Sequence, residues 1–237
     1  MTLSAPIHQL KRKARLLSRR EQIPLHTALD RIATEEGYRS WSLLVAKQPR
    51  TTSARRLLPC LQPGDLVLMA GRPGQGKTLA SLALLAEAMK AGHRGVFLTL
   101  EYTPADVAGR LRAIGIEPDE FAGLFECDCS DAISADYITA TLAAAPPGTV
   151  AVIDYLQLLD QRRDTPELAI QVTTLKAFAR ERGLILVFIS QVDRAYEASG
   201  KPFPDIADVR LPNPLDLALF DKTCFLNKGE ARIQVAA

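Results

Sequence analysis

Several features are scarce in this sequence, and each shortage removes a class of protein. There are four cysteines, Cys60, Cys127, Cys129 and Cys224, too few and too irregularly spaced for a disulfide framework. Cys127 and Cys129 flank Asp128, but no second Cys/His pair stands at ligand spacing, so reduced thiols are expected and a zinc site is not. No apolar run approaches the roughly 18 residues that a membrane helix needs, and the N-terminus has no apolar signal segment. The expectation is a cytoplasmic protein with no membrane partner. Neither an internal repeat nor a low-complexity tract is present.

What is there reads as an ordinary globular chain. Of 237 residues, 47% are hydrophobic and 24% charged, enough for one sizeable α/β core with a small appendage. The net charge of +2 is unevenly spread. Residues 1–56 hold 12 Lys/Arg against 4 Asp/Glu, and the remainder holds 17 against 23. Such a split suggests that the N-terminal part meets something anionic, the plainer alternative being a solvated helix face.

Along the chain, residues 7–20 read as a helix with a dense basic face of Lys11, Arg12, Lys13, Arg15, Arg19 and Arg20. Pro24 can open a second helix that Gly37 ends, and Ser40 can cap a short third segment bearing Trp41, Leu43 and Leu44. Residues 1–48 are therefore expected to form a small, basic, all-helical domain, and 49–58 a polar linker. Residues 59–237 alternate short apolar runs (65–70, 95–100, 149–154, 184–190) with helical stretches (77–91, 104–114, 134–144, 166–182). Runs apolar throughout and separated by helices indicate parallel strands buried on both faces. The last residues, KTCFLNKGEARIQVAA, read as a β-hairpin turned at Lys228-Gly229. The expected fold class is α/β: a mostly parallel sheet with helices on both faces and a C-terminal β-hairpin.

Gly71-Arg72-Pro73-Gly74-Gln75-Gly76-Lys77-Thr78 fits the phosphate-loop pattern and lies between an expected strand and helix. Its glycines let successive N–H groups face phosphate oxygens, and the helix start adds a positive dipole end. Lys77 can reach the outer phosphates of ATP, and the Thr78 hydroxyl can bind Mg²⁺. Asp154 ends an apolar strand where a carboxylate can hold an Mg²⁺-bound water. Glu101 follows the run 95–100 and can orient or deprotonate an attacking water, the alternative role being a helix cap before Thr103-Pro104. Gln191 ends the run 184–190 on the same edge and can sense the terminal phosphate.

The succession LMAGRPGQGKT, LTLEYT, VAVIDYLQLL and LKAFARERGLILVFISQVDR resembles the ATPase domain of DnaB-type replicative helicases, within the RecA superfamily of P-loop NTPases, over residues 58–227. The resemblance implies a RecA-like ATPase that uses ATP and Mg²⁺. Lys77 and Thr78 would then lie on phosphate and metal, Asp154 would be the Walker B acid, Glu101 the catalytic glutamate and Gln191 the sensor. It also implies a DNA partner, single-stranded DNA or another polyanion, and a homo-oligomer. Arg162, Arg163 and Arg194 are the candidate nucleic-acid contacts. Two departures stand out. The loop after DYLQLL is short, and the family's late Lys-x-Arg pair is represented only by Lys228, with Arg232 across the turn. Two readings follow: a helicase-like DNA-dependent ATPase, or a nucleotide-gated binding module with slow hydrolysis.

Overall fold

The computed structural model describes residues 4, 7–41, 43–44, 56–160, 166–211 and 213–235. Seven strands form one sheet: β1 (Leu66–Gly71), β2 (Gly95–Thr99), β3 (Phe125–Asp128), β4 (Val150–Asp154), β5 (Ile185–Gln191), β6 (Lys222–Asn227) and β7 (Glu230–Val235). Their order across the sheet is β3-β2-β4-β5-β1-β6-β7. Every pairing is parallel except β6 with β7. The crossover helices are α3 (Lys77–Lys90), α4 (Pro104–Ala113), α5 (Ala135–Thr141) and α6 (Leu168–Arg182), after α1 (Ile7–Glu21) and α2 (Leu25–Glu35).

The apolar runs become strands because both faces of each are covered. Leu66, Leu68 and Ala70 point into the core beneath α5 and α6, while Val67 and Met69 point into the core beneath α3 and α4. The same alternation divides Ala151 and Ile153 from Val150 and Val152, and Leu186 and Phe188 from Val187 and Ile189. Side chains of successive strand residues leave opposite faces, so only a two-sided core tolerates unbroken hydrophobicity. The expected C-terminal hairpin is present, turning through Lys228 and Gly229, and β6 docks it in parallel on β1. A buried ion pair between Lys222 and Asp65 fastens that edge to the start of β1.

Edge strand β3 was not expected from the sequence. Its four residues are only half-buried and include Glu126 and Asp128, so it lacks the apolar signature of the central strands. The α/β core also starts earlier than residue 59: Leu57, placed by sequence in the linker, is 1% exposed and packs in the core under α3. Residues 49–55 of that linker lie outside the described residues.

The N-terminal helices have their own apolar cluster, in which Leu10 and Ala14 of α1 meet Ala28, Ile32 and Ala33 of α2, together with Leu44. The Ser40 hydroxyl accepts from the Leu43 N–H, and the Leu44 N–H donates to the Ser40 carbonyl, giving the expected capped turn.

Candidate functional site

A cleft of about 410 Å³ opens at the carboxyl edge of the sheet. The register of the strands brings its residues together. Gln191 pairs with Gly71 across β5 and β1, so it stands beside the start of the loop Gly71–Thr78. Asp154 pairs with Thr99 across β4 and β2, which places Glu101, two residues beyond Thr99, on the same rim. Lys77, Thr78, Glu101, Asp154 and Gln191 all line the cleft.

The loop is shaped by two glycines in particular. Gly71 sits so close to β6 that a Cβ would stand 2.8 Å from the Leu226 carbonyl oxygen. Gly76 has φ 84°, a left-handed conformation that other L-residues avoid, and it delivers the chain into α3. The N–H groups of Lys77 and Thr78 lie in the first turn of α3, where the helix supplies no carbonyl for them. Pro73, Gly74 and Gly76 face the cleft. Arg72 and Gln75 are turned elsewhere. The Arg72 guanidinium donates to Glu197 at 2.8 Å and to the Val192 carbonyl at 3.1 Å. Gln75 accepts from the Lys228 N–H at 2.6 Å, tying the loop to the β6–β7 turn.

The Lys77 ammonium donates to the Gly71 carbonyl at 3.0 Å and lies 3.4 Å from the Arg72 carbonyl oxygen. The Thr78 hydroxyl donates to Asp154 at 3.1 Å. Burial pushes the Asp154 carboxyl up to about 6; the Glu101 carboxylate adds to this, and the Thr78 hydroxyl and Lys77 ammonium oppose it. Burial holds the Lys77 ammonium below its ordinary value, and Asp154 and Glu101 pull it partly back. The site is thus a desolvated pocket in which charges are strained toward neutrality, the condition under which an incoming ion interacts strongly.

Glu101 is exposed at the rim, and its N–H donates to the Thr99 hydroxyl at 3.0 Å. The alternative role of capping α4 is filled by others: Thr103 is the N-cap and forms a reciprocal capping box with Asp106. Glu101 is left facing the cleft.

Arg110 and Tyr102 are the residues that sequence reasoning missed. The Arg110 guanidinium lies over the Tyr102 ring at 4.0 Å, and both line the cleft. The Arg110 Nε is buried without a hydrogen-bond partner among the described residues. A sequence signal existed: Arg110 sits between Val107 and Leu111 on the buried stripe of α4, where a cation has no ordinary reason to be. The candidate nucleic-acid residues are less gathered. Arg194 is exposed on a short 3₁₀ helix after β5, and Arg162 and Arg163 lie outside the described residues. Arg232 stacks on Phe203 at 4.3 Å.

The cysteines are unpaired, Cys127 and Cys129 having their sulfurs 3.8 Å apart. Among the described residues no group of three or more His, Cys, Asp or Glu is disposed to hold a metal by itself. No described helix is long and apolar enough to cross a membrane.

Comparison with known proteins agrees with this geometry. Two solved structures share the fold. One is an ATPase domain, with TM-score 0.57 and 20% identity over 70% of each chain. The other is a DnaB-like replicative helicase described with its primase interactions, with TM-score 0.59 and 18% identity over 74% of this chain and 52% of that one. In sequence, the replicative DNA helicase DnaB of Synechocystis is 28% identical over 181 residues, 63% of this chain and 21% of the helicase. The UPF0273 protein PH0284 of Pyrococcus horikoshii is 35% identical over 63 residues, 26% of each chain. The chain thus spans only about a fifth to a quarter of the length of these curated relatives. The family model for the KaiC ATPase matches residues 60–209, well over half of the sequence and the whole of the cleft. The chain belongs to the KaiC-type ATPases, RecA-like P-loop proteins with a nucleotide site.

Proposed function

We propose that the cleft binds ATP with Mg²⁺ and hydrolyses it, and that the nucleotide state governs how the protein engages a nucleic acid. The observation that carries this reading is the convergence of Lys77, the Thr78–Asp154 pair, Glu101 and Gln191 on one desolvated cleft from four different strand ends. The donor set suits the metal: a hydroxyl and a carboxylate are hard oxygen ligands of the kind Mg²⁺ prefers. Bound between Thr78 and Asp154, the ion would neutralise charge on the phosphate oxygens.

The chain's own groups account for the rest. Lys77 exchanges its two loop carbonyls for phosphate oxygens, a charge-assisted contact stronger than the ones it leaves. Glu101 holds the attacking water and takes its proton. Gln191, adjoining Gly71, hydrogen-bonds the terminal phosphate and loses that contact after hydrolysis. Its carbonyl also accepts from the Arg210 N–H at 2.8 Å, so a shift at Gln191 passes directly to the segment beyond β5.

Slow hydrolysis and nucleotide-gated binding are favoured over processive unwinding by one observation. The β6–β7 turn that would carry a cation to a neighbouring subunit has its Lys228 backbone bonded to Gln75 of its own loop, and its Arg232 stacked on Phe203 of its own chain. The test is Glu101→Gln. The amide keeps the hydrogen-bonding shape but cannot accept a proton, so ATP affinity should stay within a few-fold while turnover drops by about a hundredfold. A variant that hydrolyses ATP at the parent rate would remove Glu101 from this role.

A further inference from the structure

The α1 helix carries a charge pattern that its own fold does not explain. Lys11, Arg12, Arg15 and Arg19 are exposed, and none has a carboxylate within ion-pair reach among the described residues. The carboxylates nearby are engaged elsewhere: Glu21 pairs with Arg20 and Arg31, and Glu36 accepts from Ser4. At about 100° per residue the four free cations fall within roughly a 100° arc. Lys11, Arg15 and Arg19 form an i, i+4 ladder with steps of about 6 Å. Like charges at that spacing destabilise a helix, and the first turn of α1 has no acidic residue to offset them.

We infer that this face of α1 is a sequence-independent binding surface for the phosphodiester backbone of a nucleic acid. The step of about 6 Å is comparable with the separation of neighbouring phosphates along a strand. Three of the four cations are arginines, whose planar fork grips phosphate oxygens in pairs. A membrane surface fits less well. An interfacial helix needs a free apolar face, but Leu10 and Ala14 are buried against α2, and among the described residues the outward face of α1 offers only Leu16, 58% exposed. This deepens the proposed function by locating the nucleic-acid contact, and it rests on that reading only for the idea that nucleotide state modulates it.

The experiment compares the full chain with the full chain carrying Lys11→Gln, Arg12→Gln, Arg15→Gln and Arg19→Gln together; glutamine keeps helix propensity. Binding of a fluorescein-labelled oligodeoxythymidylate is followed by anisotropy between about 50 and 200 mM salt, where each phosphate contact contributes about 0.7 to the slope of log affinity against log salt. The slope should become shallower by about 3, and low-salt affinity should drop at least tenfold. A single Arg15→Gln substitution should flatten the slope by about 0.7, so the outcome does not depend on the fourfold variant folding. An unchanged slope in both variants overturns the inference. So does loss of binding to phosphatidylserine vesicles with oligonucleotide binding intact, which would assign the face to a membrane. ATP-analogue titration separates this from the nucleotide reading: the α1 variants should bind nucleotide as the parent does, whereas Lys77→Ala should lose nucleotide and keep the parent's salt slope without nucleotide.

Discussion

Replacing Asp154 with asparagine should make the nucleotide-free protein more stable and the nucleotide-bound protein less so. The carboxyl is 2% exposed, and burial, reinforced by Glu101, raises its pKa from 3.8 to about 6. At about 1.4 kcal/mol for each tenfold change in proton affinity, that rise means that ionised Asp154 destabilises the fold by about 3 kcal/mol. The sign follows from which state holds the proton. Below about pH 4 the carboxyl is neutral folded and unfolded. Between about pH 4 and 6 the unfolded chain releases its proton while the folded chain retains it, and stability declines as pH rises. Above about pH 6 the deficit is constant.

Asparagine has the same shape, can still accept from the Thr78 hydroxyl, and carries no charge. It should recover about 1–3 kcal/mol at pH 8, the lower figure allowing for the carboxylate that Lys77 loses. Near pH 5 the gain should be about half as large. With Mg²⁺ and a non-hydrolysable ATP analogue the order should reverse. Saturation at about a thousandfold over Kd would stabilise the parent by about 4.1 kcal/mol, more than the variant's advantage, and the variant lacks the carboxylate proposed to hold the metal. Urea melts at the two pH values, with and without analogue, give all four numbers. If Asp154→Asn were less stable than the parent at pH 8 without nucleotide, with a difference that ignores pH, the carboxylate would be a structural anchor and the reasoning would fail.

Lys77→Ala should weaken ATP binding by about tenfold or more, about 1.4 kcal/mol or above, read by titration with a fluorescent analogue; unchanged affinity would take the phosphates out of this loop. Arg110→Gln should slow turnover by about ten- to a hundredfold with affinity changed only a few-fold, and Arg110→Lys should not restore it, because an ammonium lacks both the planar fork and the stack on Tyr102; parental kcat in the glutamine variant would refute this. Gly71→Ala should lower unfolding free energy by about 1–3 kcal/mol in urea, since its Cβ would press on the Leu226 carbonyl and part β1 from β6. A neutral result there would mean that the β6 edge yields freely.

The central strands and the glycine-rich loop between β1 and α3 were legible in the sequence because their causes are local. Unbroken apolar runs such as LILVFIS need a two-sided core, and a glycine-spaced loop before a helix needs something to wrap. The positions of Asp154 and Glu101 were also readable, since residues at or just past the end of a parallel strand are carried to the binding edge whatever the neighbouring order. What could not be read depends on which strands lie side by side. β3 owes its existence to pairing with β2 at an edge, and its half-exposed residues leave no hydrophobic mark. Arg110 reaches the cleft from α4, which packs against α3 and β3, so its place is invisible until the order β3-β2-β4 is known.

That order also bears on where charge developing on the terminal phosphate can be met. In a ring ATPase this charge is neutralised by an arginine from the neighbouring subunit, worth about 10³ to 10⁵ in rate. The β6–β7 hairpin of this chain is poorly equipped for that. Lys228 sits at φ 50° with its N–H spent on Gln75, and Arg232 covers Phe203. A half-buried guanidinium is nevertheless present in the cleft on the same chain. Arg110 has an unpartnered Nε among the described residues, rests on Tyr102, and lies close enough to Asp154 to lower that carboxyl's pKa. A half-buried guanidinium with an unpartnered Nε is suited to receive an anion, and the anion proposed for this cleft is the phosphate chain. Such an arginine would act without assembly. The basal rate of the isolated chain would then be set within the chain, and its dependence on protein concentration would be weak.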